Sequence, residues 1–202
     1  MDNTVLFRDF EERDIDFIYK CKNDEKLNSL VVGQWHPFTY QEAVDWVKGV
    51  IRADRKDMRF WAVCTNDEEK RIVGWISISQ IDKVNQSACF HGIVIADPNY
   101  HDGFAWIESY LFIYQYCFEV LGLNRVYGES IVGHKQSNNV GKIIYAELEG
   151  IKRQAVFKDG KFYDLSFGAL LKEDYFKHKE NGDYTMKSIL KRVRYLKKNN
   201  EL

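Results

Sequence analysis

The stretch 104–121 constrains this chain more than any other. It is apolar and aromatic almost throughout, too long for one ordinary strand, and it ends at Gly122, a residue suited to the position just past a helix C-terminus. A helix that is apolar on every side has to be buried, so other elements must wrap it. The β-prone run 87–96 and the loop Pro98-Asn99-Tyr100-His101-Asp102-Gly103 lead straight into it. Such a junction aims several backbone N–H groups, together with the helix dipole, at one point, and such a point attracts phosphate. One glycine before one helix is also what a plain strand-to-helix turn looks like.

The rest of the chain supplies the wrapping. Residues 5–10 are β-prone, and 11–22 place Ile15, Ile18 and Tyr19 at helical spacing. Thr39 and Glu42 have capping-box spacing ahead of Ala43, Trp46, Val47 and Val50, which predicts a helix over 39–51. Gln34-Trp35-His36-Pro37-Phe38 is then a loop between helices. The runs 60–64, 72–79 and 87–96 read as three consecutive antiparallel strands. Beyond the long helix, 124–132 is β-prone again. Ser137-Asn138-Asn139 predicts a helix to about Glu149 closed by Gly150, and strands 151–157 and 162–171 flank an Asp159-Gly160 turn.

The order β-α-α-β-β-β-α-β-α-β-β occupies 1–172. In the tail, 173–202, Met186, Ile189, Leu190, Val193 and Leu196 share one face of a basic helix. That helix packs on the domain or on a second subunit, which makes a homodimer reasonable; an anion-binding role is the alternative.

The formal net charge of -1 predicts no bulk attraction to nucleic acid or to an anionic membrane. Cys21, Cys64, Cys89 and Cys117 are widely spaced with no CxxC or Cys/His cluster, which predicts no metal site and reduced thiols in a cytoplasmic protein. The first residues have no basic-then-apolar pattern, and no window approaches the roughly 18 apolar residues of a membrane span.

With Leu6-Phe7-Arg8-Asp9-Phe10 and Asp14, the Pro98-Asn99-Tyr100 loop, Gly103-Phe104-Ala105, Leu121-Gly122-Leu123-Asn124-Arg125-Val126, and Asn139 placed before Gly150-Ile151, the chain resembles the GNAT acyltransferase superfamily over about residues 5–171. The Leu-Gly-Leu-X-Arg-Val run and the Asp-Gly hairpin look most like the branch of ribosomal-protein N-terminal acetyltransferases. The resemblance implies an α+β fold with a mixed, mostly antiparallel sheet of about seven strands, four flanking helices and a C-terminal helix. It also implies acyl-CoA as co-substrate, with its pantetheine arm along Ile93, Val94 and Ile95 and beside Asn138 and Asn139. The pyrophosphate is implied at the loop Tyr100, His101, Asp102, Gly103, Phe104, Ala105 and Trp106. Tyrosine stands where the family has a polar or basic residue at the head of that loop, so phosphate binding leans on the amides of 102–106. Asp102 either points away or caps the helix, because two like charges in proximity repel.

Acyl transfer to an amine needs a base for the amine and an acid for the leaving thiolate. His91 stands where related transferases often carry glutamate, and an imidazole with a pKa near 6.5 can accept a proton at neutral pH. Packing is the competing account of a lone strand histidine. Glu129 and His134 follow as candidate bases. Tyr145 is the candidate acid; the family tyrosine falls one place later, at Ala146 here. Phe90-His91-Gly92 before an atypical phosphate loop resembles bacterial enzymes that N-acylate nucleotide-linked deoxyamino sugars. Trp35, His36, Phe38 and Trp75 are candidate stacking surfaces for such an acceptor. The alternatives are a protein N-terminal acetyltransferase, which needs a peptide groove, and an acyl-CoA-binding module without turnover.

Overall fold

The first strand, β1 (Val5–Arg8), is locked to the following turn by a bidentate ion pair: Arg8 Nη1 and Nη2 donate to the Asp14 carboxylate at 2.8 and 2.7 Å. Asp14 also accepts from Glu11 N and is almost fully buried, so one carboxylate fixes both the strand end and the entry to α1 (Ile15–Lys22). The computed structural model describes residues 4–29, 32 and 35–201, with the side chains of 135, 136 and 138 also outside the description. Residues 1–3, read above for a leader, Gln34 of the predicted aromatic loop and the Asn138 side chain therefore lie outside the described residues.

A four-residue helix, α2 (Glu25–Asn28), follows under an Asp24 cap, and α3 (Tyr40–Arg52) opens on the expected capping box. Glu42 N donates to Thr39 Oγ1 at 3.3 Å and Thr39 N to Glu42 Oε2 at 2.7 Å. The meander is β2 (Arg59–Thr65), β3 (Ile72–Asp82) and β4 (Ser87–Ile95). Then come α4 (Phe104–Gln115), β5 (Arg125–Ile131), α5 (Lys135–Ile143), β6 (Glu147–Lys158), β7 (Lys161–Leu171), α6 (Lys172–Glu180) and α7 (Met186–Lys198). The strand order β1-β2-β3-β4-β5-β7-β6 gives a seven-stranded mixed sheet, parallel where β4 meets β5 and antiparallel at β1–β2, β2–β3, β5–β7 and β6–β7. Seven α-helices are present among the described residues, against the five expected.

The chain forms two compact units, residues 1–81 with 91–109, and residues 82–90 with 110–202. In the first unit α1 and α3 cover one face of β1–β3, and Ile18, Ala43, Val47, Ala62 and Cys64 form its core with Trp75. Glu108, in the first turns of α4, accepts from Thr4 N and Val5 N and so ties that helix to β1. In the second unit the remainder of α4 buries Ile113 and Tyr114, and the π-turn Tyr116–Val120, which continues it toward Gly122 at φ +68°, buries Cys117 and Phe118.

Two expectations are corrected in the second unit. The helix expected from 137 to 149 instead starts at Lys135 under a His134 cap and ends at Ile143. Gly150, read as its closing residue, lies inside β6, where a Cβ would meet the Phe167 ring at 3.0 Å. The tail is two helices rather than one. The face of α7 read from the sequence is packed, with Ile189 and Leu196 buried. The unexpected α6 is held mainly by Tyr175, stacked on Phe118 and Tyr184. Asp159 and Gly160 both take positive φ, 49° and 77°, as a tight hairpin of their type requires. Among the described residues no helix is long and apolar enough to cross a membrane, and no cluster of His, Cys, Asp and Glu could hold a metal ion.

Candidate active site

Within the first unit, the second half of β4 and the loop after it form an open shelf. Ile93 and Ile95 are only half-buried and lie beyond the Ser87–Cys89 stretch where β4 pairs with β5, so an apolar surface is left for a ligand to cover, while Val94 packs on the first unit's core. Two glycines shape it. Gly74 lets β3 approach β4, since a Cβ there would lie 2.1 Å from the Val94 carbonyl oxygen. Gly92 sits at φ +144°, a backbone conformation that side chains other than glycine rarely adopt.

The loop itself is tied down from several sides. His101 Nε2 donates to the Ile95 carbonyl at 2.9 Å, and Asp97 caps the Pro98–Tyr100 turn by accepting from Asn99 N. Arg71 Nη2 donates to Asp97 at 2.8 Å. Asp102 caps α4: Phe104 N donates to its Oδ1 at 3.0 Å, while Ile107 N donates to the Gly103 carbonyl. The amides of Ala105 and Trp106 thus lie in the first helical turn ahead of that bond, at the positive end of the helix dipole. A long apolar arm along Ile93–Ile95 with an anionic end at these amides is the shape of ligand the shelf suits; Asp102 is the one feature set against the anion.

His91, beside this shelf, is held by Ser79: the Ser79 Oγ to His91 Nδ1 distance is 3.3 Å, with Ser79 buried. The residue as a whole reaches solvent, but its ring is partly desolvated, and that burial first, then the charges of Arg55 and Lys22, lower its pKa below the usual value. Trp75, Ser77 and Ser79 alternate onto one face of β3, so the Trp75 ring and the His91 contact lie on the same side of the sheet.

On that side Lys22, at the end of α1, inserts its ammonium among three rings, 5.5 Å from Phe38, 5.4 Å from Trp46 and 5.5 Å from Trp75. Burial lowers the Lys22 pKa, and among the described residues no carboxylate forms an ion pair with it. The 35–38 loop is tied to the end of α1: Trp35 Nε1 donates to the Lys22 carbonyl, Asn23 donates to the Phe38 carbonyl, and His36 stacks on Phe38. Trp35 and His36 present open surface, as a stacking platform would. Trp75 does not; it is 7% exposed and packed edge-on against Phe17 and Trp46, so its reading as an open stacking surface is corrected to a wall of the Lys22 cage.

In the second unit, Glu129, read as a candidate base, is paired with the Lys152 ammonium. His134 accepts from Ser137 N through Nδ1 at 3.3 Å, so its ring serves the α5 N-terminus. Asn139 lies on α5. Tyr145 stands beyond that helix at φ +66°, its ring stacked on His178 at 3.8 Å with the Arg192 guanidinium 3.8 Å over it, an arrangement that accounts for the residue by packing. Burial raises its pKa.

Residues 4–143 match the family model described as acetyltransferase (GNAT) domain. The chain belongs to the GNAT acetyltransferase family. It is 23% identical over 182 residues to a spermidine N(1)-acetyltransferase of Vibrio cholerae, covering 89% of this chain and all of that protein. It is 22% identical to the uncharacterized N-acetyltransferase YoaA of Bacillus subtilis, over 83% of this chain and 93% of the relative. Among solved structures it is similar in fold to a probable acetyltransferase (TM-score 0.74, 22% identity, 86% of this chain and 96% of the other). It is also similar to the Vibrio cholerae spermidine N-acetyltransferase bound to CoA and spermine (TM-score 0.73, 22% identity, 86% and 98% covered). This GNAT chain is an acetyl-CoA-dependent N-acetyltransferase.

Two residues that sequence reasoning did not single out, Ser79 and Lys22, stand in the first unit's candidate site. Alternation from Trp75 would have put Ser79 on the aromatic face; nothing local marks Lys22.

Proposed function

We propose that this N-acetyltransferase acetylates a primary amine with His91 as general base, the donor lying along Ile93–Ile95 with its phosphates at the α4 N-terminus. The observation that carries the reading is the Ser79–His91 contact beside a half-covered apolar strand. Acetyl-CoA, when bound, supplies an acetyl group activated as a thioester. The protein supplies the rest. Ser79 fixes the imidazole through Nδ1; with the proton on Nδ1, donated to Ser79 Oγ, Nε2 is left as the acceptor for the amine proton. Desolvation keeps the ring neutral at physiological pH, and its access to solvent lets the proton leave after transfer. As the amine nitrogen bonds to the acetyl carbon, the carbon–sulfur bond breaks and the thiolate departs.

For the acceptor, a nucleotide-linked deoxyamino sugar is our first reading. The open faces of Trp35 and His36 support it as flat surfaces for a sugar or base. A polyamine is the second reading, because the Vibrio cholerae relative is a spermidine N(1)-acetyltransferase. The test follows thiol release from acetyl-CoA with a panel of amines across pH. Wild-type kcat/KM is expected to fall on the acid side below pH 6.5, because the base acts only when unprotonated and its pKa is lowered. His91→Ala is expected to lose roughly 10²- to 10⁴-fold together with that acid limb. A folded His91→Ala that keeps full kcat/KM across the pH range removes the base assignment.

A further inference from the structure

We infer that the acceptor carries an anionic group, phosphate or carboxylate, besides the amine that is acetylated, and that Lys22 is the residue selecting for it. The inference rests on the reading of His91 as the base beside the acceptor site. Lys22 is not a solvated surface lysine. Three aromatic rings hold its ammonium at 5.4 to 5.5 Å, two hydrogen bonds at the Lys22 and Phe38 carbonyls tie the 35–38 loop to this end of α1, and no carboxylate among the described residues pairs with it. A cation held rigidly and without a counter-charge costs free energy until an anion arrives, which is how a selective anion contact is built.

A second cation acts on the same site. Arg55, in the turn between α3 and β2, is paired with Asp57 at 3.3 Å, yet its charge together with that of Lys22 is felt at the His91 ring. The charges that lower the His91 pKa, after burial, are thus both positive. A polyamine would bring at least one further ammonium toward them and be repelled. An amine whose remaining charge is negative would be drawn in, with its anion toward Lys22 and its amine toward His91. The aromatic cage, already filled by the lysine, is closed to a ligand ammonium that would otherwise find it attractive.

Three acceptors separate the possibilities: an amino-sugar phosphate, a free amino acid bearing only a carboxylate, and spermidine. Their binding to the CoA-loaded enzyme is measured by calorimetry, and their acetylation by thiol release. The wild type is expected to bind and acetylate one or both anionic amines in preference to spermidine by at least tenfold, with the preference shrinking at high salt. Lys22→Met keeps a long apolar side chain in the cage and is expected to raise KM for the anionic acceptor roughly tenfold, with a smaller change in kcat. It should also narrow the gap to spermidine, while Lys22→Arg keeps most of the preference. Thermal melting of both variants checks the fold.

Spermidine preferred by the wild type, or an unchanged KM for anionic amines in folded Lys22→Met, overturns the inference while leaving the His91 reading intact. If none of the three is acetylated, the base assignment is decided by His91→Ala on the wider amine panel. The calorimetric ranking of the same three ligands then still decides whether the site selects anions.

Discussion

The carboxylate of Asp102 caps the helix end where the phosphates of the donor are proposed to lie, and this gives a prediction with a definite sign. Asp102 Oδ1 accepts from Phe104 N at 3.0 Å. For the magnitude, a phosphate oxygen on the next amides of the same turn is taken at about 5 Å from that carboxylate. At that separation two unit charges repel by about 0.8 kcal/mol in a water-like medium and about 3 kcal/mol at an effective dielectric of 20. Because Asp102 is exposed the water-like end applies, and a pyrophosphate with two nearby charges then loses about 1–2 kcal/mol to this neighbour. Asp102→Asn retains an oxygen to cap the helix, since Asn and Asp cap almost equally well, and removes only the charge. Calorimetry with CoA should therefore give a dissociation constant about 5- to 30-fold lower for Asp102→Asn at low ionic strength, with the difference collapsing near 1 M salt. A mutant whose melting curve is unchanged but which binds CoA no more tightly than the wild type would refute the placement of the phosphates at these amides.

Further outcomes follow from single contacts. Asp14→Asn leaves the Arg8 guanidinium, whose side chain is 12% exposed, with only the longer 3.7 Å contact to Glu11 as counter-charge, and should cost about 3 kcal/mol in urea-induced unfolding, the lower end for a broken buried pair. Gly74→Ala would place a Cβ 2.1 Å from the Val94 carbonyl oxygen; a loss of at least about 2 kcal/mol is expected, with weaker CoA binding because the β4 backbone has to shift. Ser79→Ala should lower kcat/KM several-fold with little change in stability, and the acid limb of the pH profile should remain, because His91 still titrates but is no longer aimed.

How far the fold could be read from the chain depended on whether a single short signal determined the element. Thr39 with Glu42, and Asp159 with Gly160, each fix a local geometry by themselves, and both appear as expected. The apolar run that opens at Phe104 had no alternative to a buried helix. Where the signal was spread or mimicked, the reading slipped. Gly150 looks like a helix stop but is a sheet glycine facing Phe167, a partner 17 positions away whose ring no local pattern could announce. The α6 helix is charged on nearly every side and is held mainly by one buried tyrosine, so it leaves no apolar stripe to detect.

The site divides in the same way. His91, Ile93–Ile95 and the 100–106 loop are consecutive, and the chain brings them together without help from tertiary structure. The residues that set the charge around them are not. Lys22, Phe38, Trp46 and Trp75 come from α1, the loop before α3, α3 itself and β3, and only the packing of those elements on one sheet face turns a lysine into a caged cation. On our proposal the same packing decides which acceptors approach. A chain of this fold could then keep the strand, loop and helix proposed to hold the donor while exchanging any wall of the cage. The proposed acceptor charge thus depends on residues 22, 38, 46 and 75 together, and a relative's acceptor carries over to this chain only if that cage does.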